Sequence, residues 1–219
     1  MKYGVLGTGD VAQTIASKLI ELGHTVMLGS RESNNQKSLE WSKKNGKNAK
    51  IGTFKETAIF GERIFNCVKG IFAIDALKSA EINNLKGKIL IDLTNPYIYK
   101  DGHIILDSKY SGHTSLGEEI QKLIPETKVV KTLNYLGCNL MTNPQKLNDD
   151  ITGFYCGNDV KAKESVKEIL NNFGWKETFD LGDITMARYT EMLGAFWVPV
   201  YGQLGNMNWG LKLVKDLKK

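Results

Sequence analysis

The residues best suited to holding an anion stand near the start of the chain, where Gly7, Gly9 and Ala12 form a Gly-x-Gly-x-x-Ala turn and Ser30-Arg31 follow further on. Gly7 permits a tight turn, and Gly9, lacking a Cβ, lets the backbone approach a pyrophosphate. Ala12 is the small residue that allows a helix to pack closely on a strand. A helix opening at such a turn aims its free N–H groups and positive dipole end at the diphosphate. Where the ligand is NAD, an Asp or Glu closing the second strand binds the ribose 2′-hydroxyl. This chain offers the hydroxyl of Ser30 and the guanidinium of Arg31 there, groups that hold a 2′-phosphate by charge-assisted hydrogen bonds. The residues therefore imply NADP(H) rather than NAD(H).

Acid–base chemistry is harder to find. No tyrosine has a lysine four positions later, which excludes the Tyr-x-x-x-Lys proton donor. Lys131 and Asn134 have a spacing used by hydroxyacid dehydrogenases, but Lys131 ends a strand-like run, where positions three apart face opposite sides. A positional or surface role is expected of it. His24, His103 and His113 read as solvated loop histidines, with His113 the one placed to approach a crevice. Cys67, Cys138 and Cys156 lack metal-ligand spacing, so neither a metal site nor a disulfide is expected. No catalytic acid–base pair is therefore predicted. That suits hydride transfer to a flavin-like ring, which delocalises the charge and mainly needs two rings held face to face.

These groups need elements to position them, and the hydrophobic pattern supplies an alternation of strand and helix. Strands are predicted at 2–6, 24–28, 49–53, 63–68, 88–93, 128–133, 153–157 and 179–181. The first helix carries Val11, Ile15, Leu19, Ile20 and Leu22 and ends at Gly23 as a left-handed cap. Further helices are expected at 32–46, around Leu39 and Trp41, and at 54–62 and 71–80. Ser115 and Glu118 form a capping-box pattern before a helix through Leu116, Ile120 and Leu123. Another helix spans 161–173, and a last one, capped by Asp183, is kinked or ended by Pro199. Residues 97–114 read as a long polar loop.

The fold class that follows is α/β, a Rossmann-type doubly wound, mostly parallel sheet with helices on both faces and a C-terminal α/β extension. One NADP-binding domain is expected over 1–219, with a dinucleotide-binding core at 1–150 and an extension at 151–219 that completes the acceptor pocket. Right-handed crossovers bring all strand ends to one edge, so the loops at 7–12, 30–31, 67–70 and 94–96 converge on one crevice.

Composition limits the alternatives. The 219 residues include 42% hydrophobic and 24% charged residues, a globular profile. No apolar run reaches membrane-spanning length, and the N-terminus enters the first strand directly, which predicts no signal peptide and a cytoplasmic protein. The net charge is +5, with lysines gathered at 43–50 and 211–219. Without interleaved aromatics these read as solvated helix ends and a frayed tail, and no nucleic-acid partner is expected. The aromatic group Phe196, Trp197, Tyr201 and Trp209 is a dimer surface, an acceptor wall or plain core.

The combination Gly4-Val5-Leu6-Gly7-Thr8-Gly9, Leu28-Gly29-Ser30-Arg31, Asp92-Leu93-Thr94-Asn95-Pro96, Val130-Lys131-Thr132-Leu133-Asn134 and Asp180-Leu181-Gly182-Asp183 resembles the coenzyme F(420)-dependent NADP oxidoreductases. Their dinucleotide domain is similar to that of the STEAP metalloreductases. The resemblance implies that Thr8, Gly9, Asp10 and Val11 contact the pyrophosphate and Ser30 and Arg31 the 2′-phosphate. It places Val68, Lys69 and Asn95 at the nicotinamide ribose, and Asn134, Leu136 and Gly137 beside the nicotinamide and the acceptor. It also implies direct hydride transfer to a flavin or deazaflavin ring such as coenzyme F(420), and a homodimer. The chain departs from the archaeal pattern at Lys69-Gly70 and at 134–137, which opens the acceptor to FAD or FMN. The alternative readings are an NADPH-dependent carbonyl or imine reductase and a non-catalytic NADPH-sensing regulator.

Overall fold

The computed structural model describes residues 1–110 and 112–216. Ser111, within the expected 97–114 loop, and residues 217–219 of the lysine-rich tail lie outside them. In chain order the elements are β1 (Lys2–Leu6), α1 (Asp10–Glu21), β2 (Thr25–Ser30), α2 (Gln36–Asn45), β3 (Ala49–Thr53), α3 (Phe54–Phe60), β4 (Arg63–Asn66), α4 (Ala73–Ser79) and β5 (Ile89–Asp92). There follow β6 (Tyr97–Lys100), β7 (His103–Leu106), α5 (Leu116–Leu123), β8 (Lys128–Thr132), α6 (Cys138–Met141), β9 (Thr152–Gly157), α7 (Val160–Asn172), β10 (Glu177–Asp180) and α8 (Ala187–Leu204).

Eight strands form one sheet in the order β10-β9-β8-β5-β4-β1-β2-β3. Every neighbouring pair is parallel except β8 with β9. Alternation along each central strand splits its side chains between two cores. Tyr3, Val5, Phe65, Ile91 and Val130 pack with α1 and α7 on one face, whereas Leu6, Ile64, Leu90 and Val129 pack with α3, α4 and α5 on the other. This is the doubly wound Rossmann arrangement, in which burial on both faces makes the strands continuous apolar runs. Because β9 runs opposite to β8, with Thr132 opposite Tyr155, the C-terminal extension joins the same sheet and presents the start of β9 at the crevice edge.

Local chemistry fixes the ends. Gly23 has φ +84° just past α1, as a left-handed cap requires. Thr53 and Glu56 form a reciprocal capping box on α3, and Ser115 caps α5 by accepting from the Glu118 N–H. Three expectations need correction. Residues 97–106 are not open loop: β6 and β7 form an antiparallel hairpin, turned by Asp101 and Gly102 at φ 50° and 82°. Asp-Gly accepts the positive φ of such a turn readily. The polar helix begins at Gln36 behind its cap Asn35, not at Glu32. Pro199 lies inside α8, which runs on to Leu204. Asp183 caps a short 3-10 turn at Ile184–Met186 that leads into that helix.

Candidate cofactor and hydride-transfer site

The parallel strands end in step. The Gly7 N–H donates to the Gly29 carbonyl at 2.9 Å, Cys67 to Leu6 at 2.9 Å and Leu93 to Asn66 at 3.1 Å. The loops after β1, β2, β4 and β5 therefore leave the sheet side by side. Gly7 sits at φ +122°, and a Cβ there would stand 2.9 Å from the Cys67 carbonyl oxygen. Gly9 is the opposite case, since a Cβ on it would meet nothing within 4 Å. Gly9 is the N-cap of α1 and no side chain caps it, so the first N–H groups of that helix face the open space beside Gly9. An exposed main-chain donor array with a positive dipole fits a diphosphate. Thr8 is half-buried and its carbonyl accepts from Gln13 at 3.0 Å. Asp10 is exposed in the first turn and Val11 half-buried.

At the end of β2, Ser30 is buried and its hydroxyl donates to the Glu32 carbonyl. Arg31 is exposed, and no ion pair or side-chain hydrogen bond holds it among the described residues. A free guanidinium beside the turn fits a 2′-phosphate. Val68 is half-buried and Lys69 exposed. Their loop is clamped to the one after β5, because a Cβ on Gly70 would overlap the Asn95 carbonyl.

Asn95 and Asn134 hold each other. Asn95 Nδ2 donates to the Asn134 carbonyl at 2.5 Å, and Asn134 Nδ2 donates to Asn95 Oδ1 at 2.8 Å. This reciprocity fixes both amide orientations and ties the exits of β5 and β8. Leu133 has φ 60°, a costly value for this residue type that turns the chain out of β8. The period-2 argument applied to Lys131 and Asn134 therefore stops at Thr132. Leu136 and Gly137 are buried, and Gly137 is covered by the C-terminal segment: a Cβ on it would lie 2.7 Å from Met207 Cβ. Asn139 Nδ2 donates to Asn208 Oδ1 at 2.6 Å on the same segment. Trp197, on α8, stacks on Tyr201 at 5.0 Å and on Trp209 at 6.1 Å.

Beneath the asparagines lies a charge cluster that the sequence did not reveal. Lys131 is fully buried, not on the surface, and its ammonium contacts Asp92 Oδ2 at 2.6 Å, Glu191 Oε1 at 3.0 Å and the Thr94 carbonyl at 2.7 Å. Burial alone would lower its pKa, but the two carboxylates hold it above the ordinary lysine value. Asp92 also accepts from Asn66 and Thr94, and Glu191 accepts the N–H groups of Leu116 and Gly117 at the start of α5. The cluster thus ties β5, β8, α5 and α8 together under the crevice. Sequence reasoning also missed Tyr97 and Gly194. The one available signal was Gly194 inside a helical pattern, which usually marks a packing or functional demand.

His103 and His113 are exposed, and His24 packs against the Tyr3 ring at 5.1 Å. Among the described residues no cluster of His, Cys, Asp or Glu could hold a metal ion, and Cys67, Cys138 and Cys156 are unpaired. No helix of the described residues is long and apolar enough to cross a membrane.

The Rossmann-type sheet and the comparisons with known proteins place the chain among the NADP-dependent oxidoreductases. Residues 2–96 match the family model for NADP oxidoreductase, coenzyme F420-dependent. A solved structure of a candidate F(420)-dependent NADP reductase from Arthrobacter sp. FB24 is 37% identical, with a TM-score of 0.93 over 98% of this chain and 100% of that one. The F(420)-dependent NADP reductase of Methanocaldococcus jannaschii is 25% identical over 88% of this chain and 89% of its own. Rat metalloreductase STEAP3 is 29% identical over 93% of this chain, which spans only 39% of that protein. The chain belongs to the family of coenzyme F(420)-dependent NADP oxidoreductases.

Proposed function

We propose that this protein passes hydride between NADPH and a flavin or deazaflavin ring. The observation that carries the reading is the pairing of an open, uncapped helix start at Gly9 with a free Arg31. In this reading the residues from Thr8 to Val11, beyond the tight turn at Gly7, hold the pyrophosphate, and Ser30 and Arg31 hold the 2′-phosphate. Val68, Lys69 and Asn95 flank the nicotinamide ribose. Bound NADPH supplies the hydride. The Asn95–Asn134 clamp sets where the nicotinamide lies against the acceptor, and Leu136, Gly137 and the 205–209 segment wall the acceptor side. The core at 1–150 and the extension at 151–219 then act as one unit across the crevice. The cytoplasm is the proposed compartment, in keeping with three unpaired cysteines. A homodimer is the proposed assembly.

The test is NADPH oxidation with FMN, FAD, coenzyme F(420), ketones and imines as acceptors. Turnover with a flavin or the deazaflavin is expected, and turnover with ketones or imines alone would overturn the reading. One observation favours that second chemistry: Tyr97 brings an unbonded hydroxyl to the same end of the crevice. Tight NADPH binding with every acceptor inert would point instead to a sensor.

A further inference from the structure

Tyr97 follows directly on Asn95-Pro96 and opens the β6–β7 hairpin, so its backbone is set by the exit of β5. Its ring leans on α8. A Cβ built on Gly194 would stand 2.5 Å from the Tyr97 hydroxyl oxygen, 3.0 Å from the Asn134 carbonyl oxygen and 3.0 Å from Asn95 Nδ2. The hydroxyl therefore lies among the groups that tie β5 to β8. Asn95 and Asn134 hold each other and leave Asn134 Oδ1 without a partner, and no hydrogen bond from the described residues reaches the hydroxyl of the half-buried Tyr97. It is a donor with no protein partner that remains accessible. Glycine in a helix interior is unfavourable relative to alanine, and at position 194 the missing Cβ leaves room for the phenol.

We propose that Tyr97 is a catalytic residue: its hydroxyl donates a hydrogen bond to the acceptor atom on which negative charge collects as hydride arrives, in the space that Gly194 keeps free. This rests on the hydride-transfer reading above. The acceptor gains two electrons and one hydrogen as a nicotinamide C–H bond breaks and a new N–H or C–H bond forms, and it is left one charge more negative. With a ring acceptor the charge stays on the ring and the phenol keeps its proton. With a ketone the charge falls on one oxygen, the phenolic O–H breaks, the proton passes to that oxygen, and water reprotonates the phenolate. Burial, helped by the nearby Glu191 carboxylate, pushes the phenol's pKa up, so at working pH it is a donor.

Tyr97→Phe removes the oxygen alone. The full-length protein should be compared with this variant in turnover of FMN, FAD, coenzyme F(420) and a ketone, and in anaerobic affinity for oxidised and reduced FMN. A drop of about tenfold to a hundredfold in kcat is expected, smaller than the roughly hundredfold to thousandfold for losing one oxyanion-hole donor because a ring acceptor spreads the charge. NADPH affinity and melting temperature should hold, and reduced FMN should lose affinity while oxidised FMN does not. Unchanged kcat together with unchanged reduced-FMN affinity would overturn the proposal. If the wild type reduces only ketones and Tyr97→Phe abolishes that, the phenol's role stands and the flavin reading falls.

Discussion

In the proposed reading Arg31 sets the dinucleotide preference, because it is a cation without an ion pair among the described residues at the end of β2, where an acidic residue would select NAD. Arg31→Ala should weaken NADPH binding by about 1.5–3 kcal/mol, roughly tenfold to somewhat over a hundredfold, and leave NADH nearly untouched. Calorimetric titration with both cofactors checks this, and equal losses would remove the 2′-phosphate from the site. The two glycines of the turn should behave differently from each other. A methyl on Gly9 meets no protein atom, so Gly9→Ala should melt like the wild type yet lose NADPH affinity by about tenfold or more, or ~1.4 kcal/mol. At Gly7 the φ of +122° and the Cys67 carbonyl at 2.9 Å both resist a side chain. Gly7→Ala should therefore cost about 1–3 kcal/mol of stability, read from urea unfolding.

At the scale of elements, α5 and α8 are joined by a forked pair. Arg188 Nε and a terminal guanidinium nitrogen donate to the two Glu118 oxygens at 2.8 and 2.6 Å, while Ser115 donates to the same carboxylate. Burial would raise the Glu118 pKa, but Arg188 and Ser115 outweigh it and hold the carboxyl below its ordinary value of 4.5. A depressed folded pKa means that the contribution is complete above the unfolded value and is lost as pH falls through the folded one. Arg188→Met should therefore destabilise the fold at neutral pH, and the gap from wild type should close as pH drops below 4.5. A gap constant down to that range would show that packing, not charge, makes the join. The Ser115–Glu118 half of this join was legible in the sequence, as were α1 with its Gly23 cap and the central strands, because local spacing alone determines them. Its Arg188 half was not, since the partners lie 70 residues apart. Long sequence separation likewise hid Lys131, Asp92 and Glu191 from one another. The β6–β7 hairpin was missed differently: its strands are only four residues long and half-solvated, and the polar residues that made the segment read as loop lie after Leu106, beyond the Asp101-Gly102 turn signal. Pro199 does not end α8, which runs on to Leu204.

For the whole molecule, the topology leaves one side chemically unlike the rest. α8 contacts β7, which pairs with β6, and along these three elements Tyr189, Met192, Phe196, Tyr99, Ile104 and Ile105 are exposed. A monomer seldom leaves so many large apolar side chains in water on adjoining elements. A twofold axis would bury them in pairs, since each patch would face its own copy. The proposed homodimer therefore makes a definite claim about mass. Sedimentation equilibrium at micromolar concentration should give twice the chain mass. Replacing Phe196 with Arg places like charges opposite each other across such an axis and should yield a monomer. NADPH affinity should survive in that monomer, because Gly9 and Arg31 lie on loops after β1 and β2, on the far side of β4, β5 and β8 from the sheet's extension. A wild type that sediments as a monomer, or an arginine variant that still pairs, would place the interface elsewhere or remove it.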